Sequence, residues 1–257
     1  MKMRWIVTAA LSIALAGSAV YAAKHKAAEP GYITKALADT GRSDDDRALD
    51  AERKPAQMVL FAGIKPGSKV MDLMPGQGYF TRIFAKVVGD KGYVYAYSPT
   101  ELDAFIQKQH PGVDIKKQFA NYSNVTVLHA PVNEIFAPES LDVVWTSQNY
   151  HDLHDKFYKP ADLAIINKKI YDVLKPGGLY IVLDHAAKPG SGLSATETLH
   201  RIDEDAVKKE VEAAGFKFVG ESNVLRNPKD PRDKLVFDPS IRHHTDQFIL
   251  KFMKPRH

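Results

Sequence analysis

The sequence predicts an α/β fold, a mostly parallel sheet covered by helices on both faces. Three observations predict it. Short β-rich apolar runs alternate with segments of helical period, as parallel sheets require. A glycine turn joins the first of these runs to a helix. The rhythm breaks only near the end, where Phe216 to Val219 and Phe248 to Phe252 are separated by the Pro- and charge-rich segment Asn227 to Ile241, predicting an antiparallel pair with a long excursion.

The elements follow in order. The run Asp44-Asp45-Asp46 behind Ser43 marks a helix start, because hydroxyl and carboxylate oxygens accept from the free N–H groups there and acids suit the positive end of the helix dipole. That helix is expected to run to about Phe61 with an interruption near Pro55. The Lys65-Pro66-Gly67 turn then precedes Lys69 to Leu73, an apolar run of strand length. After Gly76-Gln77-Gly78, the residues Phe80, Ile83, Phe84, Val87 and Val88 recur at the spacing of one helix face. Tyr93 to Tyr97 is the next strand candidate, and its alternating tyrosines read as packing. Val125 to Leu128, Leu141 to Thr146 and Leu179 to Asp184 are further strands, with helices near Ala161 to Leu174 and Asp203 to Ala214.

Composition is that of a globular chain: 257 residues, 44% hydrophobic and 26% charged. Residues 1 to 22 read as a signal peptide, with Lys2 and Arg4 ahead of an apolar stretch and small residues near Ala22. The same stretch is long enough to serve, uncleaved, as an inner-membrane anchor. Cleavage leaves 33 basic against 31 acidic residues, which removes most of the meaning of a pI near 9.0 and argues against a nucleic-acid partner. Without cysteine there is no disulfide. The expected organisation is a signal peptide over 1–22, a linker over 23–42 and one domain over 43–257, periplasmic or secreted.

The run Val70-Met71-Asp72-Leu73-Met74-Pro75-Gly76-Gln77-Gly78 lies where open α/β sheets bind ligands, beyond the carboxyl end of a strand. Together with Leu174-Lys175-Pro176-Gly177-Gly178 it resembles the motifs of class I S-adenosylmethionine-dependent methyltransferases. The strings Pro75 to Arg82, Asn149 to Leu153, Leu199 to Asp203 and Thr245 to Phe248 are most similar to a group of exported bacterial predicted methyltransferases. The resemblance covers about Arg47 to Lys254. It implies a Rossmann-like sheet of seven strands whose last strand is antiparallel, S-adenosylmethionine as cofactor, and a small-molecule acceptor.

Carried over residue by residue, Asp72, Met74, Gly76, Gly78, Ser98, Glu101 and Asn149 form the expected cofactor set. Met74 stands where the family has its first glycine, Ser98 where it has a ribose-binding acid, and Ala130-Pro131 where it has Gly-Asp; Glu101 is the nearest substitute acid. His151 is the expected proton acceptor, with Asp152 orienting it, Tyr150 positioning the acceptor or stacking on the cofactor, and His185 on the same sheet edge. His200 and Arg201 are expected to bind the acceptor. No metal is expected, although His151, His154, His185 and His200 with Asp152 or Asp184 have the chemistry to ligate one, and the His151-x-x-His154 spacing does not identify a site. A non-catalytic binding protein of the same fold, and a metal-dependent hydrolase, are the alternatives.

Overall fold

The structure, a computed structural model, describes residues 29–256 apart from residues 110, 113, 159 and 160, and of Ile115 only the backbone. The expected signal segment, residues 1 to 22, lies outside the described residues.

Seven strands form one sheet: β1 (Lys69–Leu73), β2 (Tyr93–Pro99), β3 (Val125–Ala130), β4 (Leu141–Ser147), β5 (Leu174–His185), β6 (Lys217–Ser222) and β7 (Gln247–Met253). Their spatial order is β3-β2-β1-β4-β5-β7-β6. All neighbours pair in parallel except β7, which runs antiparallel to both β5 and β6. The Rossmann-like order and the antiparallel last strand agree with the resemblance. The order reverses at β1, so the ends of β1 and β4 open onto one crevice, where such sheets bind ligands.

Strand β5 begins at Leu174, five residues before the run expected from the sequence. The Pro176-Gly177-Gly178 turn is absorbed into the strand as a register shift against Leu141 and Val143. Gly178 is needed there, because a Cβ would lie 2.8 Å from the Lys175 carbonyl oxygen and 3.2 Å from that of Leu141.

Helices cover both faces. On one side lie α1 (Gly31–Leu37), the short α2 (Asp44–Ala48) and α3 (Asp50–Arg53), α4 (Pro55–Ala62) and α5 (Tyr79–Val88). Met58, Val59, Ile83, Phe84 and Val87 pack there on Val70, Val94, Trp145 and Ile181. On the other side lie α7 (Leu163–Val173) and α9 (Glu204–Ala213), with Ile166, Ile170, Val207 and Val211 against Met71, Val144, Tyr180 and Val182. Val70 and Met71 thus serve opposite faces, as alternation along a strand demands. Two further helices, α6 (Asp103–Gln109) and α8 (Thr196–Leu199), sit near the carboxyl ends of the strands.

The expected linker over residues 23–42 is corrected in part, since α1 falls within it and buries Ile33 and Ala36 in the α4/α5 face. Two apolar positions three apart are too short a pattern to announce a helix; tertiary packing forms it. The expected helix from Ser43 onward is present as three pieces. Ser43 Oγ accepts from the Asp46 N–H at 3.1 Å, and the last piece starts at Pro55. Among the described residues no helix is long and apolar enough to cross a membrane.

Candidate active site

The loop after β1 makes the first half of the site. Met74 adopts a left-handed backbone, φ +58°, which a non-glycine residue takes at a cost of about 1 kcal/mol. Two contacts hold it: its N–H donates to the Tyr97 carbonyl at 2.9 Å, and its carbonyl accepts from Asn149 Nδ2 at 3.0 Å. The turn expected of a glycine therefore forms with methionine in place. Gly78, φ +79°, opens α5 above Phe119, where a Cβ would fall 2.5 Å from the ring.

A cavity of about 260 Å³ lies over this loop, lined among others by Asp72, Met74, Gly76, Asn149 and Arg53. Asp72 is buried and accepts from the Thr81 hydroxyl at 2.5 Å. Burial pushes its carboxyl up to about 7, only partly offset by Thr81 and the charge of Arg53. Arg53 lies over the Tyr79 ring at 4.9 Å and has no carboxylate within ion-pair distance among the described residues; burial lowers its pKa. Its position is fixed by neighbours that are paired. Arg82 grips Asp46 through two contacts of 2.6 Å, and the Tyr79 hydroxyl donates to Asp50 at 2.7 Å, so α2 and α3 are tied to α5.

Ser98 and Glu101 do not line this cavity. Ser98 is buried, with its carbonyl 2.9 Å from His129 Nδ1, and Glu101 accepts from the Val132 N–H through both oxygens at 3.1 and 3.2 Å. Glu101 orders the loop after β3 instead. Gly78 also lies off the cavity lining, beneath it as helix start.

The second half gathers at the ends of β4 and β5. A cavity of about 460 Å³ is lined by His151, Asp152, His185 and His200 within and by Phe105, Phe157 and Phe237 outside. These three phenylalanines are 49%, 50% and 55% exposed, an apolar mouth over a polar floor. Gln148 and Asn149 line this cavity and the one over the glycine loop alike. Gln148 sits at the junction with φ +61°, its N–H donating to the Leu183 carbonyl at 2.7 Å and its side chain to Gln247 Oε1 at 3.0 Å.

His151 is buried between two carboxylates. Nδ1 lies 2.7 Å from Asp184 Oδ1, Nε2 lies 3.0 Å from Asp152 Oδ1, and the backbone N–H donates to Asp184 Oδ2 at 2.8 Å. Burial opposes the charged ring, but the two carboxylates prevail and hold its pKa at about 10. Asp152 is correspondingly held at about 2 against its own burial, by hydrogen bonds from His151 and His200. The expected role of His151 as proton acceptor is thereby corrected: with both nitrogens donating, it has no free lone pair near neutral pH. His185 is the reverse case. Burial drives it down to about 4, its Nδ1 lies 2.8 Å from the Thr245 hydroxyl, and Nε2 has no partner among the described residues.

Two expected site residues are elsewhere. Tyr150 is wholly buried in the α7/α9 face; its hydroxyl donates to Glu210 at 2.9 Å and accepts from Asn167 at 2.9 Å, and burial raises its pKa. Arg201 is also fully buried, and its guanidinium is consumed by Asp230 at 2.7 and 3.1 Å and by the carbonyls of Ala186 and Lys234. Neither reaches the cavity. His154 pairs with Glu210 at 3.2 Å, away from the cluster. Arg53, Gln148 and the three phenylalanines were missed in the sequence. Only the acidic helix start, which carries Arg53 a few residues on, bore any signal.

The family described as a methyltransferase domain matches residues 71–182. The ubiquinone/menaquinone biosynthesis C-methyltransferase UbiE of Shewanella woodyi is 29% identical over 196 residues, 76% of this chain and 67% of that protein. The crystal structure of a SAM-dependent methyltransferase from Aquifex aeolicus superposes with a TM-score of 0.56 at 20% identity, covering 81% of this chain and 94% of the other. The 1,6-didemethyltoxoflavin-N1-methyltransferase of Burkholderia thailandensis, solved with bound 1,6-didemethyltoxoflavin and S-adenosylhomocysteine, superposes with a TM-score of 0.51 at 18% identity, covering 82% of this chain and 81% of the other.

Proposed function

We propose that this chain is an S-adenosylmethionine-dependent methyltransferase, that it acts on a small, hydrophobic, ring-bearing acceptor with an ionisable hydroxyl, and that His185 takes the acceptor's proton. One observation carries the reading: the aromatic-mouthed cavity with a histidine and carboxylate floor shares Gln148 and Asn149 with the cavity over the glycine loop. An apolar mouth suits a ring and the polar floor suits its hydroxyl. The name of the UbiE relatives, C-methyltransferases of ubiquinone and menaquinone biosynthesis, supports the same acceptor class.

The residues over the glycine loop fit the cofactor. Arg53, unpaired and partly buried, suits its carboxylate, and the Asp72 carboxyl suits its positive charge. When bound, the cofactor supplies a methyl group on a positively charged sulfur that needs little activation. Two tasks remain for the protein, alignment of the acceptor and removal of its proton. Gln148 and Asn149 stand between the two cavities and set the approach. His185 Nδ1 lies 2.8 Å from the Thr245 hydroxyl, and in the neutral tautomer that donates there the Nε2 lone pair is left to the cavity. His151 cannot share that task, being held between Asp184 and Asp152.

Incubation with methyl-labelled S-adenosylmethionine and two panels, hydroxylated arenes and aliphatic amines, tests the acceptor class by mass spectrometry. Label is expected in the arenes; label in the amines alone overturns the reading. His185→Ala is expected to lower kcat by about 10²- to 10⁴-fold, the usual worth of a positioned base, with S-adenosylhomocysteine affinity unchanged by calorimetry. An unaltered kcat removes His185 from that role.

A further inference from the structure

We infer that His151, Asp152 and His200 form a binding site for one divalent transition-metal ion, with Asp184 orienting the first ligand. Three ligand atoms converge on one point at the floor of the acceptor cavity, His151 Nε2, Asp152 Oδ1 and His200 Nδ1, and an ion bound there would displace the proton that His151 Nε2 shares with Asp152. Their separations are 3.0 Å from Nε2 to Oδ1, 3.2 Å from Nε2 to Nδ1, and 3.3 Å from Nδ1 to Oδ1. Donors at about 2.0–2.1 Å from a common ion stand about 3.3 Å apart in a tetrahedral shell and about 3.0 Å apart in an octahedral one. The three side chains thus already hold the spacing an ion imposes.

The surroundings agree. His151 Nδ1 lies 2.7 Å from Asp184 Oδ1, the carboxylate–histidine arrangement that fixes the ring of a metal-bound histidine and raises its basicity. Asp184 is completely buried and anchored further by the backbone N–H groups of His151 and His185, so it cannot turn away. Asp155 lines the same cavity with a buried Oδ1 that has no hydrogen-bond partner among the described residues, an acceptor available to water on the ion. Two imidazoles and one carboxylate favour zinc and its first-row neighbours over magnesium or calcium, which take oxygen shells. Three protein ligands leave at least one position open, facing the cavity, as in catalytic rather than structural sites. His154 and His185, both considered from the sequence as ligands, stand outside the cluster.

The site itself stands without the acceptor reading. Its use rests on that reading: an ion there would bind the acceptor's hydroxyl oxygen and lower its pKa, beside His185.

The test is metal binding without any acceptor, so that a failure of the acceptor class and a failure of the site are separate results. The full chain, stripped with a chelator, is titrated with Zn²⁺ against a chromophoric competitor and separately with Co²⁺, reading visible absorption. One Zn²⁺ per chain and Co²⁺ bands of a nitrogen- and oxygen-ligated ion are expected. His200→Ala, a change at a side chain 31% exposed that leaves packing largely intact, should weaken Zn²⁺ binding at least tenfold. Asp184→Asn should weaken it about 10- to 100-fold without removing a ligand. His154→Ala should leave it unchanged. No stoichiometric binding by the unaltered chain, or equal affinity in the native and His200→Ala proteins, overturns the inference.

Discussion

The two halves of the site are built in opposite ways. The side proposed for the cofactor is made by contiguous sequence: Asp72, Met74, Gly76 and the helix that begins at Tyr79 follow one another along a single strand, turn and helix. The side proposed for the acceptor is assembled from five places, α6 with Phe105, the segment after β4, the end of β5, the turn after α8, and the segment between β6 and β7 that lays Val236 and Phe237 over the cavity. The segment is positioned by single long-range contacts such as the Val236 N–H donating to the Leu199 carbonyl at 3.2 Å. The first half keeps its shape through backbone geometry, and the second through buried charge pairs.

The sharpest way to break that comparison is to remove the pair that holds the acceptor side together. Arg201→Ala leaves Asp230 buried without its partner, while nothing in the cofactor loop changes. Loss of one member of a buried pair costs about 3–5 kcal/mol. Chemical denaturation should show a loss of that size. If Arg201 were instead an acceptor anchor, stability would hold and KM alone would rise.

The same contrast explains what could be read from the sequence. All seven strands, the Ser43 cap and the glycine-loop helix were legible, because each is signalled by residues adjacent in the chain. At the site, Asp72, Gly76 and Asn149, expected to act together, do line one cavity, and His151, Asp152, His185 and His200 line the other. Gly78, Ser98, Glu101, Tyr150 and Arg201 line neither, and Tyr150 and Arg201 show why. Each lies beside a residue that lines the cavity, and neighbours in a chain end point to different faces of the sheet edge. His151 sits at the cavity while Tyr150 enters the core, and His200 faces the cavity while Arg201 turns to Asp230. No local pattern distinguishes those orientations. The protonation of His151 was equally out of reach, since it depends on Asp184, 33 residues away.

On the cofactor side the charge that matters is single and buried. The folded pKa of Asp72, about 7, is raised above the value near 3.9 of an unfolded aspartate. The folded state therefore retains a proton that the unfolded chain has lost. This contribution to stability is fully present below about pH 4 and is lost as pH rises through 7. Between those limits the unliganded protein should lose up to about 1.4 kcal/mol per pH unit on this account. Asp72→Asn should flatten that slope in thermal or urea unfolding measured from pH 4 to 8. An unchanged slope would show that Asp72 is already ionised in the folded protein.

The smallest effect sharpens the comparison most, because it asks whether the cofactor side also borrows from a distant segment. Arg53 reaches the cavity from α3, outside the strand-turn-helix unit, and stands over Tyr79 with no carboxylate of its own. A guanidinium kept partly from water and left without an anion gains most when one arrives. In the proposed function a cofactor carboxylate is that anion, and a charge-assisted hydrogen bond to it is worth about 1.5–3 kcal/mol. Arg53→Ala should therefore weaken S-adenosylhomocysteine binding by roughly tenfold or more, with Arg53→Lys recovering part of the loss, since lysine keeps the charge and loses the planar fork. Binding to adenosine, which lacks the carboxylate, should be the same in all three proteins. Equal weakening of both ligands would instead assign Arg53 to holding α3 against α5, and the cofactor side would be complete within its own contiguous sequence.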